Sequence, residues 1–211
     1  LLFAVRKHPG RIALVGGGGT LNPMIQDTAP EAVGEDKLQR FRALAEQVLA
    51  CGAKGFGEIT AHHISRGRMG AQHPYEWVPP DHPLLRILAD IAAEKGLPID
   101  LHLDLVPADM PRPDRPGFNP SNPAVFKENL AGFERLLAHN RKANIVWAHA
   151  GTDPLQTRTP QIQRELLGRH PNLFMSLRPG PGGPHSTFAL DPQGRSRSPF
   201  GQSWRIPRRR P

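Results

Sequence analysis

Short apolar runs alternate with longer amphipathic stretches along most of this chain, and that rhythm restricts the folds open to it. Runs of about four to eight apolar residues bounded by glycine or proline read as buried strands, and apolar residues recurring every three or four positions read as helices. Residues 11–15 (Arg-Ile-Ala-Leu-Val) precede four glycines at 16–19 and predict a first strand. Residues 37–50 follow as a helix with Leu38, Phe41, Leu44, Ala45 and Val48 on one face. A second strand over 55–59 runs into a long polar loop, after which Asp81 caps a helix carrying Leu84, Leu88, Ile91 and Ala92 and stopped by Gly96. The third strand is 98–105. Past the proline-rich stretch 107–120, Asn122-Pro123 predicts a helix start ahead of Phe126, Leu130, Phe133 and Leu137. Residues 145–151 supply a fourth strand, Thr159-Pro160 opens a short helix through Leu167, and 172–177 supply a fifth strand.

Strands alternating with helices imply a parallel sheet with right-handed crossovers. Five such units fit an open doubly wound sheet or most of an eight-stranded barrel, which typically needs about 250 residues. The position of the polar residues favours the barrel. Successive side chains on a strand point to opposite faces, so Asp100, His102 and Asp104 share one face while Leu101, Leu103 and Leu105 share the other. The leucine face suits packing against helices, which turns His102 into the barrel near the rim where such enzymes build their sites. The same count puts His149 with Ile145 and Trp147, and Glu58 with Phe56. His102, His149 and Glu58 are expected to meet at one mouth, and imidazole with carboxylate suits Zn²⁺ or a similar divalent ion. The expected fold is thus α/β: a partial (β/α)₈ barrel of TIM type over residues 1–178.

Charge is unevenly placed. The chain of 211 residues carries a formal net charge of +8, yet seven arginines against the single acid Asp191 lie in residues 178–211. The part before it is nearly balanced, which argues against nucleic acid as the main partner. The segment 179–211 is rich in Pro, Gly and Arg and is expected to be disordered. No apolar run approaches the ~20 residues needed to span a bilayer, and the apolar start Leu1-Leu2-Phe3-Ala4-Val5 stops at Arg6-Lys7, so a cytoplasmic protein is expected. The single cysteine, Cys51, reads as a small buried thiol without assigned chemistry.

Several segments resemble the amidohydrolase superfamily, particularly its decarboxylase-like, amidohydrolase-related branch. They are Ile12-Ala13-Leu14-Val15-Gly16-Gly17-Gly18-Gly19-Thr20-Leu21-Asn22-Pro23, Gly55-Phe56-Gly57-Glu58-Ile59 with His82-Pro83-Leu84, Asp100-Leu101-His102, Trp147-Ala148-His149-Ala150-Gly151 and His170-Pro171-Asn172-Leu173. The resemblance implies a metal-dependent (β/α)₈ barrel that hydrolyses C–N, C–O or related bonds, or removes a carboxylate, from a small carboxylate- or amide-bearing substrate. It implies His102 as a metal ligand, and His149 as a ligand to a second metal or as acid/base on metal-bound water. Glu58 falls where some members place a bridging carboxylate and others place no ligand. Zinc is the expected ion, with manganese or iron as alternatives, and Arg178 is placed to clamp an anionic substrate.

The family's first-strand His-x-His pair and last-strand aspartate have no counterpart here, so the chain is expected to hold its metal poorly and to be inactive alone. The Arg/Pro/Ser run from Arg195 resembles out-of-frame translation of GC-rich coding sequence. A homo-oligomer is compatible with this reading. Two other functions fit parts of the sequence: a nucleotide- or phosphate-binding α/β domain using the Gly16 to Gly19 loop, and a noncatalytic protein whose basic tail binds nucleic acid.

Overall fold

The computed structural model describes residues 11–67, 73–149 and 153–176, with Val5, Lys7 and His8 ahead of them. Its elements in chain order are β1 (Gly16–Gly17), α1 (Gly18–Gln26), a 3₁₀ turn (Pro30–Ala32), α2 (Glu35–Ala50), β2 (Phe56–His63), β3 (Glu76–Trp77), α3 (Pro83–Lys95), β4 (Pro98–Leu103), β5 (Met110–Pro111), β6 (Val125–Phe126), α4 (Leu130–His139), β7 (Asn144–Trp147), α5 (Pro160–Arg169) and β8 (Leu173–Met175).

Strands β1, β2, β4, β7 and β8 lie side by side in that order, each pair parallel, and β3 pairs antiparallel with the end of β2. Spatial order follows chain order with no reversal, so the sheet lacks the switch point of a doubly wound fold. Right-handed crossovers then put the connecting helices on one face. Accordingly α1 packs on α2, α2 on α3 and α3 on α4. The architecture is α/β with a mostly parallel sheet, as expected. The sheet is not closed among the described residues, and β1 and β8 form its edges.

The core fills the space between sheet and helices. Phe41 and Ala45 of α2, Leu84, Leu88, Ile91 and Ala92 of α3, and Phe133 and Leu137 of α4 meet Phe56, Ile59, Ile99, Leu101, Leu103, Ile145, Trp147 and Leu173 from the strands. Burying each large side chain contributes roughly 1.5–3 kcal/mol, so this layer fixes which strand face is inward. A smaller cluster of Ile64, Val106, Phe126 and Leu155 packs the loops that follow the strands.

Several expected boundaries move. The first strand is Gly16–Gly17 rather than 11–15, and Gly18 begins a helix instead of leaving by a loop. Gly18, Gly19 and Pro23 give this segment poor helix propensity. Burial of Leu21 and Ile25 overrides it, as do the Asn22 and Gln26 side chains, which bond the β2 backbone at Glu58, Thr60 and Thr60 respectively for their Nδ2, Oδ1 and Nε2 atoms. β2 runs on to His63 because Thr60 and His62 pair with β4. The cap of α3 is His82, whose Nδ1 accepts from Leu84 N, while Asp81 pairs with Arg86 and Arg135. The helix expected at Asn122 begins at Leu130, since the Asn122 side chain bonds both the N–H and the carbonyl of Ser65 and Phe126 joins β6. Cys51 is exposed at the end of α2 rather than buried.

Candidate metal centre

β4 delivers His102 as its alternation requires. Ile99, Leu101 and Leu103 enter the core, and His102 turns to the opposite face of the sheet. Glu58 arrives there by another route. Phe56 and Ile59, three residues apart, both face the core, which even alternation forbids. The register of β2 against β4 slips between these two positions, as at a bulge, and the slip turns Glu58 to the His102 side. Glu58 therefore does not share a face with Phe56, contrary to the count along the strand.

His149 departs from alternation in the same direction. Ile145 and Trp147 point into the core, with the Trp147 indole against Phe133 at 5.4 Å between ring centroids. A strand continued past Trp147 would send His149 to that side. Instead β7 ends, and His149 takes a φ of 55°, a left-handed conformation uncommon outside glycine. Its ring swings to the other face. The expected pairing of His149 with Ile145 and Trp147 is corrected, yet the convergence of the three residues stands.

The Glu58 carboxylate joins the two imidazoles. Glu58 Oε1 accepts from His102 Nδ1 in a short hydrogen bond and from His149 Nε2 at 3.1 Å. The two rings lie 5.4 Å apart at 70°. Donor atoms of Glu58, His102 and His149 all fall within 4.8 Å of one another, so the group can hold a metal ion. Burial pushes the Glu58 carboxyl up, but the bonds from His102 and His149 outweigh it and hold the group far below the usual carboxylate range. Burial opposes charge on His102 too, and the nearby carboxylates of Asp104 and Glu58 prevail, raising it to about 9. Asp100, half-buried beside the Glu58 charge, is pushed up to about 6 by desolvation and that charge. No family model, curated protein or solved structure matches this chain. The chemistry is read from these donors alone.

A second layer holds the first. Asp104 Oδ2 lies 3.6 Å from His102 Nε2 and accepts from Ile64 N at 2.9 Å, while Oδ1 accepts from Arg158 Nη2 at 3.0 Å. Burial works against ionising Asp104, but the His102 ring and the Arg158 guanidinium keep it well below the usual range. A carboxylate behind a liganding imidazole orients the ring and strengthens it as a donor. His62, buried by the same strand ends, bonds the Asp104 carbonyl at 2.6 Å. His63 meets His102 edge-on with ring centroids 4.8 Å apart, and its Nε2 lies 2.9 Å from His73 Nε2.

Sequence reasoning placed Asp104 on the face of His102, as a candidate partner of its ring, but left it out of the site, and it missed Arg158 and Ser176. Two residues after His102, Asp104 was open to discovery from alternation. Arg158 sits in a polar loop with no pattern to mark it. Arg178 and the basic segment 179–211 lie outside the described residues. The glycines have a packing account: Gly17 has φ 101°, and a Cβ on Gly18 would come within 2.8 Å of the Glu58 carbonyl oxygen.

Proposed function

We propose that the chain is a metal-dependent hydrolase or decarboxylase of the amidohydrolase type, acting on a small carboxylate- or amide-bearing substrate. The observation that carries this reading is the meeting of the donors of Glu58 on β2, His102 on β4 and His149 in the turn after β7, three neighbouring parallel strands, on the face away from the helices. Two imidazoles and a carboxylate form the donor set of many catalytic zinc sites, which keep a further position for water or substrate. The unreversed strand order supports regarding the sheet as a sector of a (β/α)₈ barrel, with His102 next to the last residue of β4 and His149 just past β7.

A bound divalent ion would supply an acidified water and polarise a substrate carbonyl or carboxylate. Glu58 and the imidazoles would hold it, giving up the protons that now bridge them. Asp104, behind His102, would keep that ring's Nδ1 facing the ion. Zinc fits this mixed donor set best, with manganese or iron as alternatives.

Metal titration tests the proposal. Full-length chain stripped with a chelator should take up about one Zn²⁺ per chain by calorimetry and elemental analysis. His102→Ala should abolish uptake, and Glu58→Gln and His149→Ala should each weaken it at least tenfold. Absence of binding to the native chain, or undiminished uptake by His102→Ala, would refute the site.

A further inference from the structure

The side chain of His149 reaches the centre only because its backbone is held in an unfavourable conformation, and the contacts holding it can be named. An L-residue other than glycine in the left-handed region is strained. Released, the segment after Trp147 would relax toward extended backbone, and alternation would carry the imidazole to the Trp147 side, away from Glu58.

Two side chains oppose that release. Ser176, directly after β8, accepts from the His149 N–H through Oγ at 3.1 Å, and its own N–H donates to the Trp147 carbonyl at 3.1 Å. Arg158, 4% exposed, donates from Nη1 to the His149 carbonyl at 2.8 Å and to the Ala148 carbonyl at 3.4 Å. Its Nη2 donates to the Leu103 carbonyl at 2.5 Å and to Asp104 Oδ1 at 3.0 Å. The guanidinium also lies over the Trp147 ring, 5.0 Å from its centroid. One side chain thus ties the carbonyl end of β4, which bears His102, to the turn that bears His149. The planar fork of arginine can serve several acceptors at fixed angles, and a lysine ammonium cannot reproduce this.

From these contacts we propose that Arg158 and Ser176 are positioning residues that clamp His149 in its left-handed turn and so complete the three-donor centre. Arg158 grips the carbonyl side of the turn and Ser176 the amide side, while neither touches the donor atoms. This rests on the metal-site reading above, but the clamp has a readout of its own.

The test uses the full chain with Ser176→Ala, Arg158→Lys and His149→Ala. Outer partners of metal ligands typically contribute 10- to 100-fold to affinity, so Ser176→Ala and Arg158→Lys should each weaken Zn²⁺ binding roughly tenfold. Ser176→Ala should not weaken it further once His149→Ala is present, whereas Arg158→Lys keeps the part of its effect that runs through Asp104 to His102. In the metal-free protein, the through-space NMR contact between the His102 and His149 rings should fade in both clamp variants. Native affinity together with an intact ring contact in Ser176→Ala would overturn the clamp, as would an additive loss from Ser176→Ala in the His149→Ala background. Arg158 also balances buried Asp104, and if Arg158→Lys fails to fold, the Ser176→Ala results decide. If the native chain binds no Zn²⁺, the metal reading fails, while the ring contact in Ser176→Ala still decides the clamp.

Discussion

His82→Ala should destabilise the fold by roughly 2–4 kcal/mol although the residue is not one of the metal-centre donors. His82 is 1% exposed and both ring nitrogens are engaged: Nδ1 accepts from Leu84 N at 3.1 Å, and Nε2 donates to the Thr28 carbonyl at 2.9 Å. Only the neutral ring protonated on Nε2 satisfies both. Losing a helix cap costs about 0.5–2 kcal/mol, and leaving the Thr28 carbonyl without a donor costs about 1–3 kcal/mol. Asparagine restores a capping oxygen, so His82→Asn should recover about 1 kcal/mol of the loss. Burial pulls the His82 pKa down, against weaker opposing contributions from the Thr28 bond and the Asp81 and Glu31 charges. The folded pKa lies below the unfolded value of about 6.5. The unfolded chain therefore binds more protons in that window, and stability present above pH 6.5 is lost as pH falls toward the folded pKa. Urea unfolding followed by circular dichroism at pH 8 and pH 5.5 measures both effects. A loss under about 0.5 kcal/mol in His82→Ala at pH 8, within the range of an ordinary surface change, would refute the account. So would an acid-side decline in His82→Asn as steep as in the native chain.

Neighbouring glycines at the start of α1 should respond with opposite signs. A Cβ on Gly18 meets the Glu58 carbonyl oxygen at 2.8 Å, so Gly18→Ala should cost about 1–3 kcal/mol, whereas Gly19 faces open space and Gly19→Ala should stabilise by up to about 1 kcal/mol in denaturant titrations. Asn172→Leu should cost about 1–3 kcal/mol by the same measurement, because Asn172 Nδ2 donates to the carbonyls of Leu137 and Ala143 at 3.1 Å and of Asn140 at 3.4 Å beyond α4.

Periodicity made the layers legible and local chemistry blurred their edges. The stripes on α2, α3 and α4 and the apolar runs in β4 and β7 are long enough to declare their type. α1 was hidden because its glycines and proline argue against a helix, while the contacts that favour it come from β2, more than 30 residues away. The caps at Asp81 and Asn122 were misplaced because short polar side chains serve equally well in ion pairs and in loop bonds. Those residues went to Arg86, Arg135 and Ser65, and no local pattern distinguishes the uses.

Two departures from alternation explain why the site was found although two of its faces were misjudged. Counting along β2 and β7 put Glu58 and His149 opposite to the apolar layer only by putting Phe56 and Trp147 there as well, and a chain obeying that count would take both of these buried rings away from the helices. Burial of such rings dominates the choice of strand face, so the aromatics take the helix side. The polar residues must then be turned back by irregular backbone: a register slip at Glu58 and a left-handed turn at His149. Irregularities of this kind lower stability unless neighbouring groups hold them, and they gather at sites that use the side chains they redirect. Here Asn22 bonds the backbone within the slip at Glu58 and just after it at Thr60, while Arg158 and Ser176 bond both sides of the turn. Backbone distorted twice toward one carboxylate–imidazole group, and fastened each time by polar side chains, is the arrangement expected where that group has chemistry to perform.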